Sequence, residues 1–408
     1  MKKIFVIFSL IILIASLYFY MPKNTDTSNK FVFWSIQLKP VWEKEINQII
    51  ADFEKQNNIK VVWVDIPIQE AQKRTLASVL SSNPPDLVNL NPDFSLLLAQ
   101  RGALRFFSPE ETEIYEPTLV NLLKYQDKIY ALPFYVTSAV TIYNKEIFEN
   151  CTKEPFPDTY EKLYQLSPQL KKCSKIAPFA INLNENDTLA RILNKYNVSD
   201  FKDEKQKNSA IEVYKMFDDM YAKEFLPKDV LTINHREMIE KYMSNQALSI
   251  VAGSNFIKTI KQNANDIYKK SDVTVQLTGK NGKYDASLMN LVIPKKSKNQ
   301  TLALEFAKIL TNKTHQLELA HLTNVLPANK YALKDNYFTK CSDDLVEKAR
   351  CEAAKQIKNL NNITFGERNK KTINEQINNA LEEILLNGID INSKINSLSK
   401  EIQLLQNN

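Results

Sequence analysis

The chain has 408 residues, 44% hydrophobic and 25% charged, with 53 basic and 47 acidic side chains and a net charge of +6. That length exceeds one ordinary core, so two domains are expected. The two signs of charge are interspersed without a block of either, which argues against a basic nucleic-acid groove; no nucleic-acid partner is expected.

Lys2 and Lys3 precede an uncharged apolar stretch over residues 4–21, at the lower limit of length for crossing a bilayer. No Ala-x-Ala cleavage site ends it, and no cysteine follows closely enough for lipid attachment. An uncleaved N-terminal anchor is therefore expected ahead of a cleaved signal, with residues 22–30 as a polar tether. Under either reading the body is exported, to the periplasm or the cell surface.

Residues 31–34 read as a short apolar strand. Residues 41–56 carry Trp42, Ile46, Ile49, Ile50 and Phe53 at helical spacing. A β-branched run over 59–66 is a second strand, and residues 68–82 are helical up to Asn83-Pro84-Pro85. Residues 86–90 form a third strand, and 95–101 a short helix closed by Gly102. This alternation predicts a parallel or mixed sheet with helices on both faces. Ligands in such sheets sit at the carboxyl ends of strands, here Trp34-Ser35, Pro67 and the residues from Asn89 to Asn91.

Residues 131–146 form a long extended run with Pro133 near its start, which opposes a helix there. A strand of that length can leave one domain and enter another. A helix is expected over 157–170, a strand over 177–183, and helices over 188–196 and 209–224. Residues 236–244 lead into a strand over 247–252 that ends in Gly253-Ser254-Asn255-Phe256. A helix then runs to residue 268, followed by a strand over 273–277. Residues 287–294 are again extended, residues 299–312 and 314–322 helical, and residues 324–327 a loop. At the C-terminus Ile373, Ile377, Ala380, Leu381, Ile384 and Leu385 share one helical face. After Asn387-Gly388 the period resumes at Ile395, Leu398, Ile402 and Leu405, giving two packing helices too short for a coiled coil.

Export makes the four cysteines readable as disulfides. Cys151 and Cys173 bracket a loop whose closure would stabilise by about 3 kcal/mol. Cys341 and Cys351 on one continuous helix would stand roughly 15 Å apart, too far for a bridge that needs Cα atoms within about 7 Å. That pair requires a bend, or different partners. Four cysteines allow three connectivities, and free buried thiols stay open as well.

Several motifs in order carry a family resemblance. Phe33-Trp34 with Trp42 and Phe53-Glu54 forms an opening strand and helix. Pro85-Asp86-Leu87-Val88 is followed by Leu96-Leu97 and Gly102-Ala103-Leu104. Tyr130-Ala131-Leu132-Pro133 with Ile142-Tyr143-Asn144-Lys145 is the most specific segment, and Pro157-Asp158-Thr159-Tyr160-Glu161 opens a helix. Tyr242-Met243 leads to Gly253, Ile293-Pro294 precedes Ser297-Lys298 and Phe306, and Val325-Leu326-Pro327-Ala328 forms a turn. Together these resemble extracellular solute-binding proteins of the family 1 type, the maltose- and glycerol-3-phosphate-binding-like receptors of ABC importers. The chain departs from that pattern at Asn255, Ala286-Ser287 and Asn324, where relatives carry an aromatic, a glycine pair and a glycine.

The resemblance implies a two-lobed, periplasmic-binding-protein-like α/β fold, each lobe a mixed sheet flanked by helices and joined by crossing strands. Residues 1–30 would be the signal or anchor and tether, 31–138 with 287–332 the first lobe, and 139–286 with 333–408 the second. It also implies a receptor that captures a carbohydrate between the lobes and hands it to a membrane permease, with no cofactor and as a monomer. A sugar phosphate receptor and a sensory module uncoupled from transport are the alternatives.

A sugar offers C–H faces and a rim of hydroxyls, so its site needs aromatic surfaces and side chains that donate and accept. Trp34, Trp42, Tyr135 and Phe256 could supply the first. Gln37, Asn91, Asp93, Ser138, Ser254, Asn255 and Asn290 could supply the second, with Arg368 a charged fork. Bland readings stand beside these: Trp42 begins an apolar helical stripe, Asn91 and Ser254-Asn255 could cap helices, and Asn290 lies inside an apolar strand. Catalytic motifs are missing. Three histidines, His235, His315 and His321, have no metal spacing, and neither His-Glu-x-x-His nor Gly-x-Ser-x-Gly occurs, so no enzyme is expected.

Overall fold

The first strand, β1 (Lys30–Ile36), turns Phe31, Phe33 and Ser35 to one buried face, as a period of two requires. In the computed structural model, which describes residues 30–183, 185, 187–361 and 369–407, it is followed by α1 (Lys39–Asn57), β2 (Lys60–Ile66), α2 (Ile68–Leu80), β3 (Leu87–Leu90) and α3 (Pro92–Gln100). β1 lies between β2 and β3, parallel to both. The start of α1 has no cap of its own; Asp65 at the end of β2 accepts the N–H groups of Leu38 and Lys39, each at 3.0 Å. The buried stripe of α1 is the one the sequence predicts, and it meets Phe306, whose ring lies 4.9 Å from that of Phe53 and 5.4 Å from those of Phe31 and Phe33.

A short helix α4 (Pro117–Asn121) and a hairpin of β4 (Lys124–Tyr125) and β5 (Lys128–Ile129) lead to the long strand β6 (Leu132–Asn144). Then come α5 (Lys145–Cys151), α6 (Tyr160–Ser174), α7 (Thr188–Lys195), α8 (Glu204–Ala222), α9 (His235–Met243), β7 (Ser249–Gly253), α10 (Phe256–Asn263), α11 (Asn265–Lys270) and β8 (Ser271–Val275). The chain returns through β9 (Ala286–Val292), α12 (Gln300–Leu310), α13 (Lys313–Thr323) and β10 (Leu326–Pro327), and ends with α14 (Asn336–Thr339), α15 (Leu345–Gln356), α16 (Lys370–Asn387) and α17 (Ile391–Asn407).

β6 belongs to both lobes. From Leu132 to Ser138 it pairs with β9, and with β10 at Tyr135 and Val136; from Ala139 to Asn144 it pairs with β7 and β8. The hand-over falls between the Ser138–Ala286 and Ala139–Gly253 partners. The register slips between Pro133 and Tyr135, as expected where a proline withholds a ladder donor. On the first-lobe side the order is β10-β6-β9-β3-β1-β2, with β9 antiparallel to β3. Asp86 ties this layer together by accepting Val32 N–H at 2.8 Å and the Ser297 hydroxyl at 2.6 Å.

One apolar cluster runs from Phe31, Phe33 and Trp42 through Val140 and Ile142 of β6 to Ile250 and Val273. A second fills the far side of the second lobe, where Leu163, Phe179, Ile192, Phe217, Ile377, Leu381, Leu398 and Ile402 meet. The predicted C-terminal stripe is therefore core.

Several local expectations need correction. Residues 177–183 form no strand, only bridges from Ala177 to Ala247 and Ala180 to Ile250; Pro178 lacks the N–H that a ladder would use. The helix expected to run to residue 268 breaks at Ala264, which is far from helical at φ −145°. The loop over 324–327 contains β10. α15 is capped by the Asp344 carboxylate, which accepts from Val346 and Glu347, and it has no counterpart among the predicted elements. Cys151 pairs with Cys173 and Cys341 with Cys351, at Cα separations of 5.6 and 6.3 Å. The second bridge meets the geometric requirement because Cys341 lies in the turn before α15 and not on it. The anchor over residues 4–21 lies outside the described residues; among those described, no helix is long and apolar enough to cross a membrane.

Candidate ligand-binding cleft

A cavity of about 430 Å3 opens where β6 and β9 pass between the lobes. Thr137, Ser138 and Ala139 line it from β6, and Asp285, Ala286 and Ser287 from the start of β9. The second lobe adds Arg191, His235 and the segment from Gly253 to Phe256, and the first adds Thr323, Asn324 and Leu326. Gly253 is there for space: a Cβ would stand 2.5 Å from the Asn255 side-chain oxygen.

The floor of the crossing is a buried polar network. Lys195, 1% exposed, donates to Gln276 Oε1 at 3.1 Å, to the Leu277 carbonyl at 2.8 Å and to the Asp285 carboxylate at 3.0 Å. Gln276 accepts Asp285 N–H at 3.0 Å and donates to the Asp285 carbonyl at 2.8 Å. Gln356 of α15 donates to the Ala139 carbonyl at 2.9 Å. Both crossing strands are thus bound, at the hand-over point, to side chains of the second lobe.

The cations around the cavity have carboxylate partners. Arg191 Nε donates to Asp187 at 2.7 Å. Burial alone would lower its pKa, but the charges of Asp187, Asp285 and Asp93 outweigh burial and raise it. Lys370 of α16 reaches Asp93, in the first turn of α3, at 3.1 Å, an ion pair that spans the two lobes. His235 sits with its ring 4.9 Å from that of Phe256; burial pushes its pKa below the ordinary 6.5, with Glu185 opposing. The pair presents an aromatic and a polar edge together.

Of the residues expected in the site, Ser138, Ser254, Asn255 and Phe256 line this cavity. Asp93 does not line it and is paired with Lys370. Asn91 caps α3, accepting Phe94 N–H at 3.0 Å, and Gln37 is an exposed left-handed residue (φ 51°) bonded to the Ile66 carbonyl. Trp34 lies half-buried beside Arg74 of α2, 5.7 Å from ring to guanidinium, and does not line the cavity. Tyr135 lies on the first-lobe stretch of β6, its hydroxyl pushed up to about 12 by burial and the charge of Asp65. Two expectations are corrected. Trp42 is fully buried against Phe134, because it heads the stripe that packs on the sheet. Asn290 is fully buried and donates to Ser95 Oγ at 2.5 Å, joining β9 to α3. Arg368 lies outside the described residues. Arg191, His235 and Asp285 were not anticipated. Only His235 has a local signal, the Asn234–Glu237 capping box that sets the start of α9.

Two α/β lobes, a strand common to both and a polar cavity where it crosses define a two-lobed solute receptor. The chain belongs to the bacterial extracellular solute-binding protein family, whose model matches residues 48–358. That family consists of exported binding proteins. The diacetylchitobiose binding protein DasA of Streptomyces coelicolor is 24% identical over 314 residues, covering 72% of this chain and 71% of the relative. The galactooligosaccharide-binding protein of Bacillus subtilis is 21% identical over 326 residues, covering 77% and 76%. Among solved structures, a Synechococcus sp. MITs9220 protein described as an oligosaccharide periplasmic-binding protein superposes with a TM-score of 0.79 at 21% identity, covering 91% of this chain and 97% of that one. A cyclo/maltodextrin-binding protein complexed with maltotetraose gives 0.74 at 18% identity, covering 93% and 98%.

Two outcomes follow from the cleft. Lys195→Met removes the ammonium that satisfies three acceptors, and should lower the unfolding free energy by about 2–3 kcal/mol in urea titrations; an unchanged midpoint would remove the network from the account. His235 is held below its unfolded pKa, so the unfolded chain binds more protons just below pH 6.5. Its contribution is complete above about pH 6.5 and declines on acidification until the folded imidazole also protonates. In His235→Gln that part of the slope should vanish; a stability–pH curve identical to the parent's contradicts the assignment.

Proposed function

We propose that the protein captures a neutral carbohydrate in the interlobe cavity and delivers it, as a monomer, to the permease of an ABC importer. The observation that carries this is the charge balance of the cavity among the described residues: Arg191, which lines it, is bonded to Asp187 and has Asp285 beside it, while Ser138, Ser254, Asn255 and Ser287 offer uncharged donors and acceptors beside Phe256. A sugar phosphate would ask for cations in excess of their carboxylates, so glycerol-3-phosphate is the poorer candidate. The named ligands of the relatives, diacetylchitobiose and galactooligosaccharides, favour the same class. The first lobe would hold residues 31–138 with 287–332, and the second 139–286 with 333–408. Ligand stabilises closure by its differential affinity for the closed arrangement, and the energy for transport comes from a separate ATPase.

At a hundred times its Kd, a neutral oligosaccharide should raise the unfolding free energy by about 2.7 kcal/mol, read as a thermal shift. Glycerol-3-phosphate at equal concentration should give none, and a phosphate-selective response would overturn the reading. We also propose that residues 4–21 hold the receptor at the membrane. The full chain should then sediment with membranes, whereas a chain beginning at residue 30 stays in the supernatant; equal partitioning of the two rejects the anchor.

A further inference from the structure

A smaller recess of about 110 Å3 adjoins the interlobe cavity, and the two share Arg191, Asp285 and Ala286. It runs into the second lobe between α7 and α16. One part of its lining is hydrocarbon, from Leu193, Phe201, Ile373, Ile377 and Ile402, all buried. The rest is polar, and Arg191 and Asp285 stand where the recess meets the larger cavity.

An unsubstituted sugar fits the apolar part of this recess poorly: the groups that project from its ring are hydroxyls and a hydroxymethyl, which would exchange water for hydrocarbon there. Volume narrows the occupant further. A cavity of about 150 Å3 takes up benzene, so this recess suits a group of about three or four heavy atoms. The rim fixes how that group is attached. The Asp285 carboxylate keeps acceptor positions beyond its contact with Lys195, and Arg191 has more donors than Asp187 occupies. An acceptor beside a donor complements the N–H and C=O of a secondary amide.

We infer that this recess receives the acyl group of an N-acylated amino sugar, with the methyl end inside and the amide at the Arg191–Asp285 rim. This rests on the carbohydrate reading above and narrows it to one substituent. The acyl group contributes affinity without charge, consistent with a cleft whose cations are already matched.

Calorimetric titration of the full chain with N,N′-diacetylchitobiose and with cellobiose separates the two levels. The sugars share a β-1,4-linked backbone and differ in acetamido against hydroxyl. The acetylated sugar should bind at least about tenfold more tightly, as expected for a small apolar group entering a matched pocket. In Ala190→Leu, whose added carbons enter the recess from α7, that ratio should fall towards one. Equal affinities in the parent protein overturn the inference and leave carbohydrate capture standing. A preference that survives Ala190→Leu places the acetyl group elsewhere and overturns it too. If neither sugar binds, the inference falls; if maltotriose and other neutral oligosaccharides also fail, the carbohydrate reading falls with it.

Discussion

A lysine ammonium with almost no access to water holds the joint of this molecule. Removing such a charge from water costs several kcal/mol, offset only where good partners surround it. Lys195 finds them in the segment that links β8 to β9: Gln276, the Leu277 carbonyl and the Asp285 carboxylate. Gln276 then grips the backbone of Asp285 on both sides, and Gln356 grips Ala139. Both crossing strands are therefore fastened to the second lobe as far as residues 139 and 285. On the other side of those points, near Thr137 and Ser287, β6 and β9 are held by their own ladder, to which the exposed Thr137 hydroxyl adds a long 3.4 Å contact to the Ser287 carbonyl.

The same lysine organises the chemistry of the cleft. Asp285 bears on Lys195 below and on Arg191 beside it, and Arg191 is bonded to Asp187, so charge alternates along the wall. The wall is locally neutral although the chain carries a net charge of +6. Across the gap, Asp93 and Lys370 are partly exposed, and such pairs are worth at most about 1 kcal/mol. An interaction that weak biases closure without enforcing it. The ligand must supply the rest through contacts it makes only when both lobes surround it.

Much of this architecture was legible. The strand common to both lobes was visible as an apolar run with Pro133 at its start, and α1 as a stripe from Trp42 to Phe53. Periodicity reports which way a residue faces but not what covers it. Trp42 therefore stood as a candidate for the ligand although its stripe favoured the core, and so did Asn290 although its strand is apolar; the structure puts the first against Phe134 and the second on Ser95. Arg191 was invisible for a related reason: an arginine on the polar face of an amphipathic helix reads as solvated until the return of β9 brings Asp285 to it. The second disulfide could not be assigned because its feasibility turned on where α15 begins, a boundary set by the Asp344 cap and not by any apolar pattern.

The third passage between the lobes is fastened on both sides. After β10 the chain leaves the first lobe near α13, and α14 brings Tyr337 to His321, ring centroids 3.9 Å apart. On the second-lobe side Arg350 lies 3.5 Å from the Tyr337 ring and donates to the Tyr337 carbonyl at 2.6 Å, while the Cys341–Cys351 bridge fastens the same turn to α15. On the first-lobe side an ion pair from Lys313 of α13 to Asp335, the cap of α14, at 3.7 Å joins that aromatic contact, while a covalent bond and a charged hydrogen bond act on the other. The second lobe carries Arg191, His235, Phe256, Asp285 and the smaller recess, whereas the first contributes Thr137, Ser138, Ser287, Thr323, Asn324 and Leu326. The larger share of the cavity's lining therefore sits on one lobe, so its polar and aromatic groups are held in fixed relation by that lobe's own core.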